Sequence, residues 1–383
     1  MLFLKLLKRI LPVVLSSLLI IQAVPAYALT ETNAELTNLT VPEATRRAID
    51  HNESIKKSNE TEDLSDDKYT LLRESARNAT TEDAVFTAYT NLLQFELSRS
   101  LNIKNIKAQE ENVEHGIIQI FNNILNAEEG LAVYDENLKL TKKELDITFL
   151  KLGLGLASQF DYDSAKAAYE NMLIQRNLQQ SGIDKAYRQL NETMGQDLNK
   201  KYNLVLNLDY ELLGEVNLTT YASKFIANSL AIKQAKDDIQ VAQYALDTHT
   251  YNYDPYTGLE ISAGGTKQEK EMDLSRAKRN LTSTEESVKK SVIDTYNSIK
   301  DLELKIASQE IELENLNTKL DIAQKRLELG QVTQLSVDKL LLEKHNLEYE
   351  METNKNDHAI LIMAFKNPNI IASASAGSAE TKK

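Results

Sequence analysis

The 383-residue chain has no cysteine, so disulfides and thiolate metal sites have no part in its fold. Proline is nearly missing as well. Beyond residue 28 it occurs only at Pro42, Pro255 and Pro368, leaving the stretches between free of the strongest helix breaker. Glycine-rich phosphate loops and nucleophile elbows are absent, which removes the common signatures of nucleotide-binding and hydrolytic enzymes. Histidine occurs five times, at His51, His115, His249, His345 and His358, without metal-ligand spacing. No carboxylate pair stands isolated in an apolar setting, so the sequence indicates neither an enzyme nor a cofactor. Basic residues are the minority, 44 against 57 acids, and the net charge of −13 argues against nucleic acid and against an anionic membrane surface as partners.

One long apolar run is present, from Ile10 to Val24. Lys5, Lys8 and Arg9 precede it and Ala26-Tyr27-Ala28 follows, the pattern of a cleaved export signal over residues 1–28. No cysteine follows that site, so no lipid anchor is expected at the new N-terminus. Cleavage removes three basic residues and no acid, taking the formal charge from −13 to −16.

What the sequence does contain is periodicity. Ile117, Ile124, Leu131, Leu138, Leu145 and Leu152 recur every seventh residue, the seam of a helix packed in a coiled coil. Val292, Ile299, Ile306, Leu313, Leu320 and Leu327 form a second such seam. Each member lies 175 residues after its counterpart, 292 against 117 and so on to 327 against 152, and no gap is needed. A period of that size marks a duplicated helical half. Leu304, Ile311 and Ile322 lie off the second seam and predict that this helix buries two faces.

Both seams end alike. Gly155, Ser158 and Gln159 match Gly330, Thr333 and Gln334 at the same offset. A glycine suited to the left-handed C-terminal position, then a hydroxyl residue suited to cap the next helix, predicts a tight hairpin tip in each half. The first half is expected over residues 29–196 and the second over 217–368, with a linker at 197–216 whose alternation from Asn203 to Asp209 predicts a short strand. Residues 250–266 are rich in tyrosine and glycine and predict a small β-like insertion, and residues 369–383 a disordered tail.

The signal, the two halves and the tips of the form Gly-x-x-Ser/Thr-x-x-Asp resemble the TolC-like outer-membrane efflux proteins over essentially the whole mature chain. Gly155 to Asp161 fits that form in full; Gly330 to Ser336 departs only at its last residue. The resemblance implies an all-α-dominated fold of two coiled-coil hairpin repeats, a homotrimer closed into a hollow helical barrel, and tips that meet a periplasmic adaptor and an inner-membrane transporter. It also implies that an acid just after each tip lines a constriction, a role only Asp161 can inherit. Localisation follows as outer membrane and periplasm, or the cell surface where no outer membrane exists. Family members insert a β-hairpin in each half, and here the first is missing and the second is a remnant. The alternative is therefore a non-conducting coiled-coil scaffold of the envelope, since a heptad stripe specifies packing and not a pore.

Overall fold

The structure, a computed structural model, describes residues 36–249, 254–260 and 265–370. The export signal and residues 371–383 of the tail lie outside the described residues, as do 250–253 and 261–264 of the insertion.

Strand β1 (Asn38–Thr40) leads into helix α1 (Val41–His51), which carries Pro42 in its first turn, where no amide donor is needed. Helix α2 (Glu53–Asp63) is capped by Asn52, whose side chain accepts from the amides of Ser54 and Ile55. Helix α3 (Ser65–Asn78) follows after Leu64 alone. The acidic stretch 59–67 is thus helix broken at one residue.

Helix α4 (Glu82–Gly153) is 72 residues long, about 108 Å at 1.5 Å per residue. Thr81 caps it by accepting from Ala84 N, with Glu82 and Asp83 at the positive end of the dipole. Helix α5 (Gln159–Thr193) returns from the first tip. Strand β2 (Asn203–Val205) pairs parallel with β1, Leu39 opposite Leu204, and is shorter than the alternation to Asp209 predicts. Its only partner is the three-residue β1, and past Val205 no neighbouring strand continues the ladder among the described residues.

The second half repeats the order. Helix α6 (Leu218–Asn228) has the same 11-residue length as α1, and α7 (Leu230–Asp247) follows as α2 follows α1. Helix α8 (Lys267–Glu328) descends for 62 residues and α9 (Gln334–Lys366) returns. The described part of the insertion is a turn, in which Asp254 accepts from the amides of Tyr256 and Thr257. Only the single residue Glu260 has strand-like pairing there. In the first half the matching connection is the three residues Ala79–Thr81, too short for a hairpin. Asn369 and Ile370, placed in the tail from sequence, are instead ordered: Asn369 Oδ1 accepts from Leu230 N and Ile370 is buried.

From Asn38 onward the chain forms one unit. Its long helices lie side by side in the order α5, α4, α9, α8, because α4 packs on both α5 and α9 while α8 packs on α9. The shorter α1, α2 and α3 pack on α4, α6 on α8, and α7 on both α4 and α8.

Each repeat has its core at the end away from its tip. In the first, Ile117, Phe121 and Ile124 of α4 meet Leu190 of α5, Ala44 and Ala48 of α1 and Leu39 of β1. In the second, Val288, Val292 and Ile299 of α8 meet Phe225, Ile232 and Phe365. Toward the tips the seams thin: Leu131, Leu145, Ile306 and Leu320 are buried, whereas Leu138, Leu152, Leu313 and Leu327 are half-buried. Polar pairs then set register between α8 and α9, with Asn354 Nδ2 donating to Gln309 Oε1 at 2.8 Å and Lys305 Nζ to Asn354 Oδ1 at 3.1 Å.

Candidate functional site

The two tips are the same piece of backbone built twice. In the first, Gly155 has φ 69°, its amide donates to Leu152 O at 3.0 Å, and Leu156 N donates to Lys151 O at 2.8 Å. In the second, Gly330 has φ 70°, with matching bonds to Leu327 O at 2.9 Å and from Gln331 N to Arg326 O at 2.8 Å. These paired bonds close the helix end and need a left-handed residue, which favours glycine.

The restart differs in one chemical respect. Ser158 Oγ accepts from Asp161 N at 3.1 Å while Asp161 Oδ2 accepts from Ser158 N at 2.8 Å, a reciprocal cap. At the second tip Thr333 Oγ1 accepts from Ser336 N at 3.3 Å, and the hydroxyls of Thr333 and Ser336 lie 2.9 Å apart. Asp161, inferred by resemblance as a constriction acid, therefore has its carboxylate engaged by its own turn. Hydrogen bonds from the Ser158 amide and hydroxyl hold its pKa below the usual carboxylate range.

A depressed folded-state pKa means that the cap is at full strength above the ordinary carboxylate range and weakens as pH falls through the depressed value. Hydrogen exchange at the Ser158 amide, corrected for intrinsic rate, should thus lose protection on acidification and in Asp161→Asn at neutral pH. The second tip, with Ser336 in that place, should not respond. Equal acid sensitivity at both tips would show that the Asp161 carboxylate does not hold the first.

A further matched pair of contacts lies beside the two caps. Gln159 donates to Asp163 Oδ1 at 3.0 Å and Gln334 to Asp338 Oδ1 at 2.8 Å, so Asp163 and Asp338 are counterparts at the 175-residue offset. Asp338 also accepts from Lys143 of α4 at 2.7 Å, and this bond lowers its pKa. Lys339 pairs with Glu144 at 2.6 Å and His345 with Glu136 at 2.6 Å. The α4/α9 boundary, where one repeat meets the other, is therefore laced with charge. Between α4 and α5 the corresponding tie is Arg176, which holds Asp135 with two bonds of 2.8 and 3.1 Å.

The outer helices end in bare apolar surface. On α8, Leu304 and Ile311 are 71% and 64% exposed, and Ile322 is exposed as well. The expectation that α8 buries two faces is thus not met within one chain: Leu304, Ile311 and Ile322 contribute to neither core, and the face that bears them stays open. On α5, Phe160, Ile174 and Leu178 are 77%, 57% and 59% exposed. The first tip adds Phe149, Leu150, Leu154 and Leu156, all exposed, whereas their counterparts at the second tip include Gln324, Lys325 and Gln331.

The histidines are dispersed in space. His358 is fully buried against Glu303, His345 pairs with Glu136, His249 with Glu260, and His51 lies against Gly195. Burial lowers the pKa of His115. Among the described residues no three metal-ligating side chains come together, and no helix is long and apolar enough to cross a membrane.

No family model and no curated protein matches the sequence. Solved structures match its shape. The CmeC outer membrane channel of Campylobacter jejuni aligns with a TM-score of 0.61 at 12% identity, over 88% of this chain and 85% of that one. A membrane protein from Pseudomonas aeruginosa aligns with a TM-score of 0.61 at 13% identity, over 87% and 92%. The outer membrane protein VceC of Vibrio cholerae aligns with a TM-score of 0.58 at 13% identity, over 85% and 95%. Of these neighbours, the first is an outer membrane channel, the second a membrane protein and the third an outer membrane protein. At such identities the likeness is one of fold, and the fold of this chain is the TolC-like fold of bacterial outer-membrane channels.

Proposed function

We propose that the chain is the outer component of an efflux or secretion system, in which several copies close into a helical duct that moves solutes or proteins across the cell envelope. The observation that carries this reading is the row of four long helices left unfinished on both sides. A row with apolar residues on each outer helix is a segment of a larger wall, and identical segments complete it when the rotation between copies closes. The family resemblance supplies the number, three, together with export by the signal over residues 1–28, placement in the envelope, and an adaptor and inner-membrane transporter as partners.

The tips, Gly155 to Gln159 and Gly330 to Gln334, are the docking points in this reading. Their backbone is fixed by its own hydrogen bonds, so their exposed side chains are presented rigidly. The duct does no chemistry of its own and needs no cofactor.

A second reading, a non-conducting scaffold of the envelope, is favoured by one observation. Ala79–Thr81 leaves no room in the first repeat for a β-hairpin that could help to cross a lipid bilayer. End-on electron-microscopic views of the purified full-length chain separate the two. A ring of helices around an empty centre is expected for the duct; a filled rod would leave the scaffold standing.

A further inference from the structure

The two tips share one backbone and differ in what it bears. From Ile147 to Phe160 the first tip has a single charged residue, Lys151, and no carboxylate, whereas the counterpart stretch from Ile322 to Leu335 has Lys325, Arg326 and Glu328. In a chain with 26% charged residues and a net charge of −13, the first stretch is the exception. Phe149, Leu150 and Leu156 stand where the second tip has Gln324, Lys325 and Gln331, although both turns have the same left-handed glycine. The apolar side chains therefore have a cause outside the turn. We infer that the first tip enters the surface layer of a lipid bilayer whose headgroups carry no net charge. This goes beyond the duct reading, in which the tips meet proteins, and stands whether or not copies close into a ring.

The apolar surface is large enough to matter. Leu154 and Leu156 at the apex are each 74% exposed, and Phe149, Leu150 and Phe160 behind them are exposed as well. At roughly 100 Å² each, the five make an apolar patch on the order of 500 Å², near the upper limit for soluble monomers.

Lipid, and not a protein socket, is what the rest of the tip fits. Its turn amides are already occupied: Leu154 N donates to Leu150 O at 3.1 Å, Gly155 N to Leu152 O at 3.0 Å, Leu156 N to Lys151 O at 2.8 Å and Ser158 N to Asp161 Oδ2 at 2.8 Å. Leaving water is costly for an amide without a partner, and these four keep theirs. Charge, moreover, is layered by distance from the apex. Lys151 has a long apolar stem that lets its ammonium reach back to the headgroups. Tyr162, its ring 5.7 Å from that of Phe149, is an aromatic of the kind that settles at a membrane interface. Carboxylates begin only at that level, Asp161 held by Ser158, Asp163 by Gln159 and Asp146 by Lys142. They limit entry to roughly 5–10 Å, the depth of an interfacial helix. Charge also selects the lipid, because an anionic surface repels a chain at −13 and a neutral one leaves apolar burial to decide.

The absence of tryptophan makes the test clean. Full-length protein carrying Leu154→Trp is mixed with phosphatidylcholine vesicles at low and at high salt. A blue shift of the indole emission is expected in both, with quenching by lipid brominated on its acyl chains. Leu304→Trp, on the bare face of α8 and 25 residues or roughly 37 Å from Leu329 of the second tip, should show neither. Adding Leu150→Asp and Leu156→Asp to the Leu154→Trp protein should abolish the shift with helicity unchanged, since both side chains are exposed in the free chain. Emission from Leu154→Trp that vesicles leave unchanged would overturn this contact and return the first tip to a protein partner. Equal quenching at Leu304→Trp would overturn it too, as adsorption through the helix faces. A monomer by mass would end the duct reading and leave the lipid contact standing.

Discussion

Replacing Ile124 with aspartate is expected to destroy cooperative folding of the first repeat. Ile124 is fully inaccessible and sits where α4, α5 and α1 converge with Phe121, Leu190 and Ala48. Removing its side chain from a tight core costs about 2–5 kcal/mol, and a carboxylate left there without a partner adds a comparable penalty. The sum is of the order of a domain's whole stability, roughly 5–15 kcal/mol. Ile299→Asp should do the same to the second repeat, where Ile299 is fully buried near Val292 and Phe225. Leu138→Asp and Leu313→Asp should cost less, since those seam positions near the tips are half-buried and the carboxylate keeps contact with water. Thermal unfolding followed by circular dichroism gives the order directly. An Ile124→Asp protein that melts like the parent would mean that the two repeats are not held by these cores.

The second large effect is on assembly, with the fold left intact. Leu304→Asp combined with Ile311→Asp places two carboxylates on the outer face of α8, which in a single chain is mostly open to solvent. Surface substitutions of this kind change chain stability by less than about 0.5 kcal/mol. At a closed junction each would be a buried charge without a partner, costing roughly 2–5 kcal/mol, and a ring repeats that cost at every junction. The double variant should keep full helicity and its melting temperature while its mass falls to that of one chain. Loss of helicity would show instead that this face supports the chain itself.

Much of the architecture was readable in advance because its causes are local. Period-seven apolar spacing, scarce proline, and glycine with a hydroxyl residue at each turn dictate helix, length and turn without reference to distant contacts. The 175-residue offset carried over from sequence to structure, from Gly155 and Gly330 down to the matched glutamine–aspartate pairs of the tips. What the sequence could not show depends on which helices become neighbours. The order α5, α4, α9, α8 puts Lys143 against Asp338 and Glu136 against His345, contacts spanning about two hundred residues with no periodic signature. The apolar stripe of Leu304, Ile311 and Ile322 was visible as a stripe. Its openness to solvent became apparent only once α8 stood at the end of the row.

The duct depends on copies joining, and light scattering coupled to size exclusion on the full-length chain, with and without detergent, tests that most directly. Three times the mass of one chain is the predicted result. A monomer in both conditions would contradict it, because four helices open on both sides enclose nothing.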